Sequence, residues 1–244
     1  MSETTHKTLN FEEREFRERL SHARDMLKTE GVSAALLFAQ ETDYYLTGYD
    51  TSGFVFFQCL ILDTQTSSLT LLTRRPDLVQ ARDTSIIDDI RIWWDADNAN
   101  PALELRTILK EKRLTGKRIG IELSTHGLTG FNHKRVVDAL DDFCTLVDIS
   151  WPVRRLRLCK TDSELKYVRK AAQLCSQSLA DVITAAEPGI PDSTLNVAYL
   201  STVLEGGGDM PANPPLFNSG RRALYGRGVS GARLLNADDQ IVAE

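Results

Sequence analysis

Short apolar runs and amphipathic helical patterns alternate along residues 1–150 of this chain. The runs at 33–39, 118–122 and 144–149 have the length and composition of buried strands. Segment 11–30 places Phe16, with other apolar side chains, on one stripe of a helix that stops at a glycine. Because strands and helices alternate, the pattern predicts a layered α/β domain.

The predicted elements of this first domain share clear boundaries of Gly, Pro or polar residues. The strands are predicted at 33–39, 54–62, 68–73, 86–94, 118–122 and 144–149, with a hairpin turn at 63–66, and the helices at 11–30, 101–112 and 130–140.

A second domain is predicted after a basic connector at 150–160. Thr161 and Glu164 have the spacing of a capping box, which predicts the start of a long helix. Its apolar stripe is formed by Leu165, Val168, Ala172, Cys175, Leu179 and Val182. A second helix to about residue 204 and a loop rich in Gly and Pro follow. We place the domains at 1–153 and 154–244, and expect the second to be incomplete because its sheet has only begun.

The charge pattern excludes several classes of partner. The 244 residues include 29 Lys and Arg against 34 Asp and Glu, a net charge of −5, and the two signs are interspersed. A nucleic-acid or anionic membrane surface requires a basic stripe, which this chain lacks. It also lacks an apolar run of the ~20 residues that a membrane helix needs. Without a signal-peptide pattern at the N-terminus, the cytoplasm is the expected location.

Several motifs resemble those of the creatinase and aminopeptidase P group. They are Asp43-Tyr-Tyr-Leu-Thr-Gly48, Gly120-Ile-Glu122, the junction from Leu156 to Ala172, and Phe217-Asn-Ser-Gly220. The resemblance implies a creatinase-type N-terminal three-layer α/β domain, followed by the beginning of a pita-bread α+β catalytic domain. Within the group, Leu46-Thr-Gly-Tyr-Asp50 and Phe57-Gln-Cys-Leu60 resemble ectoine hydrolase-like members most.

The same resemblance assigns Glu244 to a strand-end position that carries the first catalytic or metal-binding acid of the group. Counting from Gly220, the group's spacing of seven, twelve and five residues leads to Arg227, Asp239 and Glu244. A Glu side chain is one carbon longer than the Asp that binds two metals ~3.5–4 Å apart, so we predict a metal-free role, as general base or nucleophile. The alternative is a solvated strand-end carboxylate.

Arg227 stands where the resemblance leads us to expect His. A guanidinium with a pKa above ~12 cannot shuttle protons at neutral pH. It can bind a carboxylate with two hydrogen bonds, so we predict recognition of an acidic substrate or pairing with Glu244 itself. A solvated loop charge is the alternative.

Phe54 and Gln58 are further candidates for substrate binding. In creatinase-like homodimers, aromatic and polar side chains of this region close the partner's active site, and the resemblance implies the same here. Core packing is the alternative for the phenylalanines of this run.

Three functions follow as hypotheses. The first is a hydrolase of a non-peptide C–N bond in a small charged molecule, of the ectoine hydrolase or creatinase type, without a cofactor and inactive as this chain alone. The second is an Xaa-Pro dipeptidase with two divalent metals such as Mn. The third is a catalytically dead dimerisation or binding module. The scaffold alone does not decide among them.

Overall fold

A computed structural model describes residues 7–66, 68–228 and 231–244. The chain divides into two compact units, Met1–Cys159 (unit 1) and Lys160–Glu244 (unit 2). The domain boundary predicted from the sequence followed Val153, and this residue packs in the core of unit 1.

Unit 1 is built on a six-stranded mixed sheet with the order β4-β3-β2-β1-β5-β6. Its strands are β1 (Ala34–Leu37), β2 (Cys59–Asp63), β3 (Leu69–Arg74), β4 (Asp89–Trp93), β5 (Arg118–Ile121) and β6 (Thr145–Asp148). β2 is antiparallel to both of its neighbours, whereas β1, β5 and β6 run parallel to one another. The chain first adds strands on one side of β1 and then returns to its other side at β5.

In the described part of unit 1, six α-helices cover the two faces of this sheet. They are α1 (Glu13–Thr29), α2 (Gln40–Thr47), α3 (Leu78–Thr84), α4 (Pro101–Glu111), α5 (Gly130–Leu140) and α6 (Ser150–Leu156). Side chains of α4 and α5 pack with Ala34 and Leu36 on one face. Side chains of α1, α2, α3 and α6 pack with Ala35 and Leu37 on the other face, as the two-residue period of a strand requires. The predicted three-layer α/β domain is confirmed.

Local sequence sets several of the helix ends. The Asn100 side chain accepts a hydrogen bond from the amide of Ala102 at the start of α4. The Thr129 hydroxyl accepts one from the amide of Asn132 at the start of α5. Gly48, with φ +83°, ends α2 in the left-handed conformation that glycine tolerates best.

Three segments differ from the sequence prediction. The strand expected at 54–62 begins only at Cys59, and the residues before it form a turn in which Phe54 and Phe56 are exposed while Phe57 is buried. Alternation along a strand therefore does not apply to these phenylalanines. Residues 40–47 and 78–84 form helices that the sequence analysis did not predict, and the connector at 150–160 begins with α6. These helices have only two turns, so their packing on the sheet stabilises them more than their own sequence does.

In unit 2 the described residues form two α-helices, a short 3-10 helix at Gly220–Leu224 and a two-stranded sheet. α7 (Asp162–Ala185) begins with the predicted capping box, in which the Thr161 hydroxyl accepts from the amide of Glu164 and the Glu164 carboxylate accepts from the amide of Thr161. α8 (Ser193–Glu205) follows, and β7 (Phe217–Ser219) pairs antiparallel with β8 (Ile241–Ala243). Val182, Leu195, Phe217 and Leu235 form the small core that holds these elements together.

The apolar stripe of α7 is only partly covered. Val182 is buried, whereas Val168, Cys175 and Leu179 are exposed. Cys159 and Cys175 are free and exposed, whereas Cys59 is buried. Amphipathic periodicity identifies the apolar side of a helix without showing what covers it.

Among the described residues, the helices are all too short or too polar to cross a membrane.

Unit 1 contains a buried acid, Asp43, whose two carboxylate oxygens have no hydrogen-bond partner in the described part of the chain. Burial, followed by the negative charges of Glu122 and Glu41, raises the pKa of Asp43 well above its usual range. The folded chain therefore keeps this proton while the unfolded chain releases it above pH ~4. Asp43 consequently lowers stability progressively as the pH rises from about 4 towards its folded-state pKa.

We expect Asp43→Asn to remove this pH dependence, so that its melting temperature exceeds that of the wild type by a margin that grows between pH 4 and 8. Thermal unfolding at a series of pH values measures this margin. Asp97→Asn, at an exposed position, is the matched control and should follow the wild type. Parallel curves for Asp43→Asn and wild type would show that Asp43 is ionised in the fold.

Candidate active site

Glu244 is fixed at the end of the small sheet of unit 2. Its backbone amide donates to the carbonyl of Leu216 at 2.9 Å, and the amide of Leu216 donates to the carbonyl of Glu244 at 2.8 Å. This exchange continues the β7–β8 pairing, in which Phe217 lies opposite Ala243. The side chain of Glu244 therefore has a defined direction from the edge of the sheet.

The Arg227 side chain lies against this carboxylate. Its Nη1 atom donates to Glu244 Oε1 at 2.7 Å and to Oε2 at 2.8 Å, and also to the carbonyl of Gly226 at 3.1 Å. The Arg227 side chain is 76% exposed and the Glu244 side chain is 61% exposed. Exposed ion pairs contribute about 0–1 kcal/mol, so little energy is needed to separate this one.

A cavity of about 740 Å³ opens beside the pair. Its wall is mainly apolar and includes Leu179 from α7, Tyr199 from α8 and a Pro-rich segment at 213–216. Its other lining residues include Cys175, Phe217, Arg227, Ala243 and Glu244. An apolar concavity with a few charged groups is the usual form of a small-molecule site.

Asp192 anchors the loop that carries Arg227. This fully buried carboxylate accepts from the amide of Gly231 at 2.8 Å and from the Ser219 hydroxyl at 3.2 Å. Arg222 lies 3.5 Å away as its ion-pair partner. One buried charge thus joins the start of α8, the end of β7 and the loop before β8.

Arg233 and Asp239 form a second anchor in the same loop. Arg233 donates to both oxygens of Asp239, at 2.5 and 2.7 Å, and to the Ser219 hydroxyl at 2.9 Å. These hydrogen bonds hold the pKa of Asp239 below its usual range. Gly220 has φ +57°, and a Cβ at this position would overlap the Arg233 guanidinium. The loop between β7 and β8 is therefore pinned on both sides of Arg227.

Phe54 and Gln58 lie in unit 1. Phe54 is 44% exposed, whereas Gln58 is buried and donates from Nε2 to the carbonyl of Gly53 at 3.1 Å. Gln58 thus fixes the turn on which Phe54 is displayed. The structure brings Arg227 and Glu244 together, and the roles of Phe54 and Gln58 in substrate binding stay predictions.

The contact with Arg227 also bears on the two-metal alternative. Both carboxylate oxygens of Glu244 accept hydrogen bonds from Arg227, and these are the oxygens with which Glu244 would bind a metal ion. Within residues 7–66, 68–228 and 231–244, no group of three His, Cys, Asp or Glu is placed to hold a metal ion.

Sequence reasoning missed Asp192 and Arg233 as parts of this site. The segment Pro191-Asp-Ser reads as a helix start, and Asp192 does precede α8. Its side chain makes no capping bond to that helix and is used instead to hold the loop. A hydrogen-bond partner 39 residues away along the chain leaves no local pattern.

The family of the chain follows from its first unit. A family model described as the Creatinase/Prolidase N-terminal domain matches residues 19–159, more than half of the chain. The protein belongs to the creatinase/prolidase family, a family of hydrolases and peptidases. The six-stranded mixed sheet of unit 1 is the sheet of that domain.

Two curated relatives match most of the chain. An uncharacterized hydrolase/peptidase of Sinorhizobium fredii is 22% identical over 227 residues, which are 89% of this chain and 58% of the relative. An ectoine hydrolase of Halomonas elongata is 24% identical over 232 residues, 88% of this chain and 58% of the relative.

A solved structure shows the same fold. The prolidase of Thermococcus sibiricus superposes with a TM-score of 0.80 at 21% identity, covering 93% of this chain and 60% of that one. The chain thus spans about three fifths of the length of its relatives.

Proposed function

We propose that this chain carries the first part of the active site of a hydrolase that cleaves a non-peptide C–N bond in a small charged molecule, as in ectoine hydrolase or creatinase. The observation that carries the proposal is the Arg227–Glu244 pair beside an apolar cavity. The similarity to an ectoine hydrolase supports the substrate class.

Glu244 is the catalytic carboxylate of this proposal. It takes a proton from a water molecule, whose oxygen then attacks the amidine or related carbon of the substrate. The C–N bond breaks, and the protonated Glu244 returns the proton that it took from water to the leaving nitrogen. Direct attack by the carboxylate is the alternative first step, with hydrolysis of the covalent intermediate following.

Arg227 recognises the substrate and controls Glu244 in this proposal. A carboxylate on the substrate offers the guanidinium the same two-point contact that Glu244 offers. Because the existing pair is exposed and weak, the substrate can displace Glu244 from Arg227 at small energetic cost. Displacement frees the Glu244 oxygens to act on water only when an acidic substrate is bound.

The proposal includes a homodimer with a cytoplasmic location. The turn displaying Phe54 would contact substrate held by the other subunit, and Gln58 would position that turn through its bond to Gly53. Light scattering measures the oligomeric state directly, and a monomer at assay concentration would remove this role of Phe54 and Gln58.

A substrate panel tests the proposed reaction. The protein encoded by the entire reading frame and the 244-residue chain are each assayed with ectoine, creatine and Xaa-Pro dipeptides. We expect the encoded protein to hydrolyse ectoine or creatine. If the reading frame encodes more than these 244 residues, the 244-residue chain should be inactive alone, because it spans about three fifths of the length of the ectoine hydrolase and the prolidase that it matches.

The other outcomes of this panel select the alternatives. Cleavage of Xaa-Pro dipeptides that depends on stoichiometric Mn, Co or Zn would establish the peptidase and overturn our proposal. Inactivity of the protein encoded by the entire reading frame on every substrate would favour the dead dimerisation or binding module. Equal turnover by the 244-residue chain would show that its own residues complete the active site.

A further inference from the structure

A second, smaller crevice of about 330 Å³ lies in unit 1. It is bounded by Ala39, which follows β1, and by Glu122, which follows β5. β1 and β5 are parallel neighbours, and the order of strands reverses between them. In open α/β sheets, ligands bind in the crevice beyond the carboxyl ends of parallel strands at such a reversal.

The fold shapes this crevice by holding its floor rigid. The buried Glu122 carboxylate accepts from the amides of Phe38 and Ala39, at 3.1 and 3.0 Å, and from the Thr42 hydroxyl at 2.8 Å. The loop after β5 also passes very close to β1, since a Cβ at Gly127 would overlap the carbonyl oxygen of Phe38. Glu122 is thus committed to holding the floor.

Charged side chains of both signs face the crevice around this floor. Arg154 of α6 and Arg157, which follows that helix, both line the crevice. Arg154 donates from Nη2 to the carbonyl of Ser124 at 2.8 Å, which fixes the direction of its guanidinium. The Nε atom of Arg157 is buried without a hydrogen-bond partner among the described residues. Glu41, at an exposed position in the first turn of α2, supplies a negative charge.

We propose that this crevice binds a small zwitterion, with its carboxylate against Arg154 and Arg157 and its cationic nitrogen against Glu41. A guanidinium fork matches a carboxylate with two hydrogen bonds, and an unpartnered buried N–H gains the most from a new acceptor. The crevice has the volume of a small-metabolite site. The lining residues all belong to unit 1, so this site is not the cavity that contains Glu244.

Calorimetric titration of the 244-residue chain tests this site. The probes are glycine, β-alanine and 4-aminobutyrate, with butyrate and butylamine as counterparts that carry a single charge. We expect saturable binding of at least one zwitterion, with butyrate about tenfold weaker or worse and butylamine not bound. Arg154→Gln and Arg157→Gln should each weaken the zwitterion about tenfold or more.

Two further variants make the test specific. Glu41→Gln should reduce the affinity for the zwitterion to that for butyrate and leave butyrate unchanged. Arg155→Gln, an exposed neighbour in α6 that does not line the crevice, should bind like the wild type. Circular dichroism checks that each variant is folded, and Arg154→Gln carries the test if Arg157→Gln unfolds.

The proposal would be overturned by any of three results. These are no saturable binding of the zwitterions by the wild type, unchanged affinity in folded Arg154→Gln, or equal affinities for butyrate and 4-aminobutyrate.

Discussion

Replacing Asp192 with alanine should lower the free energy of local opening in unit 2 by about 3–5 kcal/mol. The buried carboxylate accepts hydrogen bonds from the Gly231 amide and the Ser219 hydroxyl, and it pairs with Arg222. Alanine leaves these groups without their acceptor, and Arg222 without its counter-charge. The loop that carries Arg227 should then detach from the start of α8.

Hydrogen exchange detected by mass spectrometry measures this local opening segment by segment. Exchange of amides in the segment 217–244 should accelerate by about a hundredfold or more in Asp192→Ala. Tryptophan fluorescence is unsuitable as the readout, because the three tryptophans all lie in unit 1. Asp238→Ala, an exposed acid of the same loop, should exchange like the wild type. Unchanged exchange in Asp192→Ala would mean that this carboxylate does not hold the loop.

Much of the architecture of both units could be predicted because the patterns that specify it are local and redundant. Helices α4, α5 and α7 begin within one or two residues of the predicted positions, where Asn100, Thr129 and Thr161 provide caps. The hairpin of β2 and β3 also forms around its predicted turn. A cap or a turn acts over a few residues, so the sequence alone reveals it.

The short helices and the turn at Phe54 could not be predicted in the same way. Two-turn helices such as α3 and α6 depend on burial against the sheet, which their own residues do not specify. The run Phe54–Phe57 has the composition of a strand, yet its first residues form a turn that Gln58 holds through Gly53. Tertiary contacts override β propensity here.

The candidate active site was predictable in part. Spacing within the recognised family led to Arg227 and Glu244, and the structure places their side chains in contact. Spacing could not lead to Asp192 or Arg233, because their partners are identified only when the loop closes on α8. The charged residues around the smaller crevice, Glu41, Arg154 and Arg157, were missed because only the folded sheet of unit 1 brings them together.

Glu244→Gln should reduce the rate of hydrolysis more than any other variant proposed for this chain. Gln keeps the size of the side chain and can accept from Arg227 through one oxygen, but it cannot take a proton from water. General-base catalysis contributes a factor of about 10²–10⁴, so the loss of kcat should fall in this range. The affinity for the substrate should change less than kcat, because Arg227 is then more available to hold the substrate carboxylate. Asp238→Asn is the matched control and should keep the wild-type rate.

The most direct test is the rate of ectoine hydrolysis by the protein encoded by the entire reading frame, measured after exhaustive treatment with a chelator, for wild type and Glu244→Gln. If Glu244 acts as a metal-free base, the wild type keeps its rate after chelation and Glu244→Gln loses at least about a hundredfold. A wild-type rate that disappears on chelation and returns with Mn, or a Glu244→Gln variant as fast as the wild type, would contradict this account.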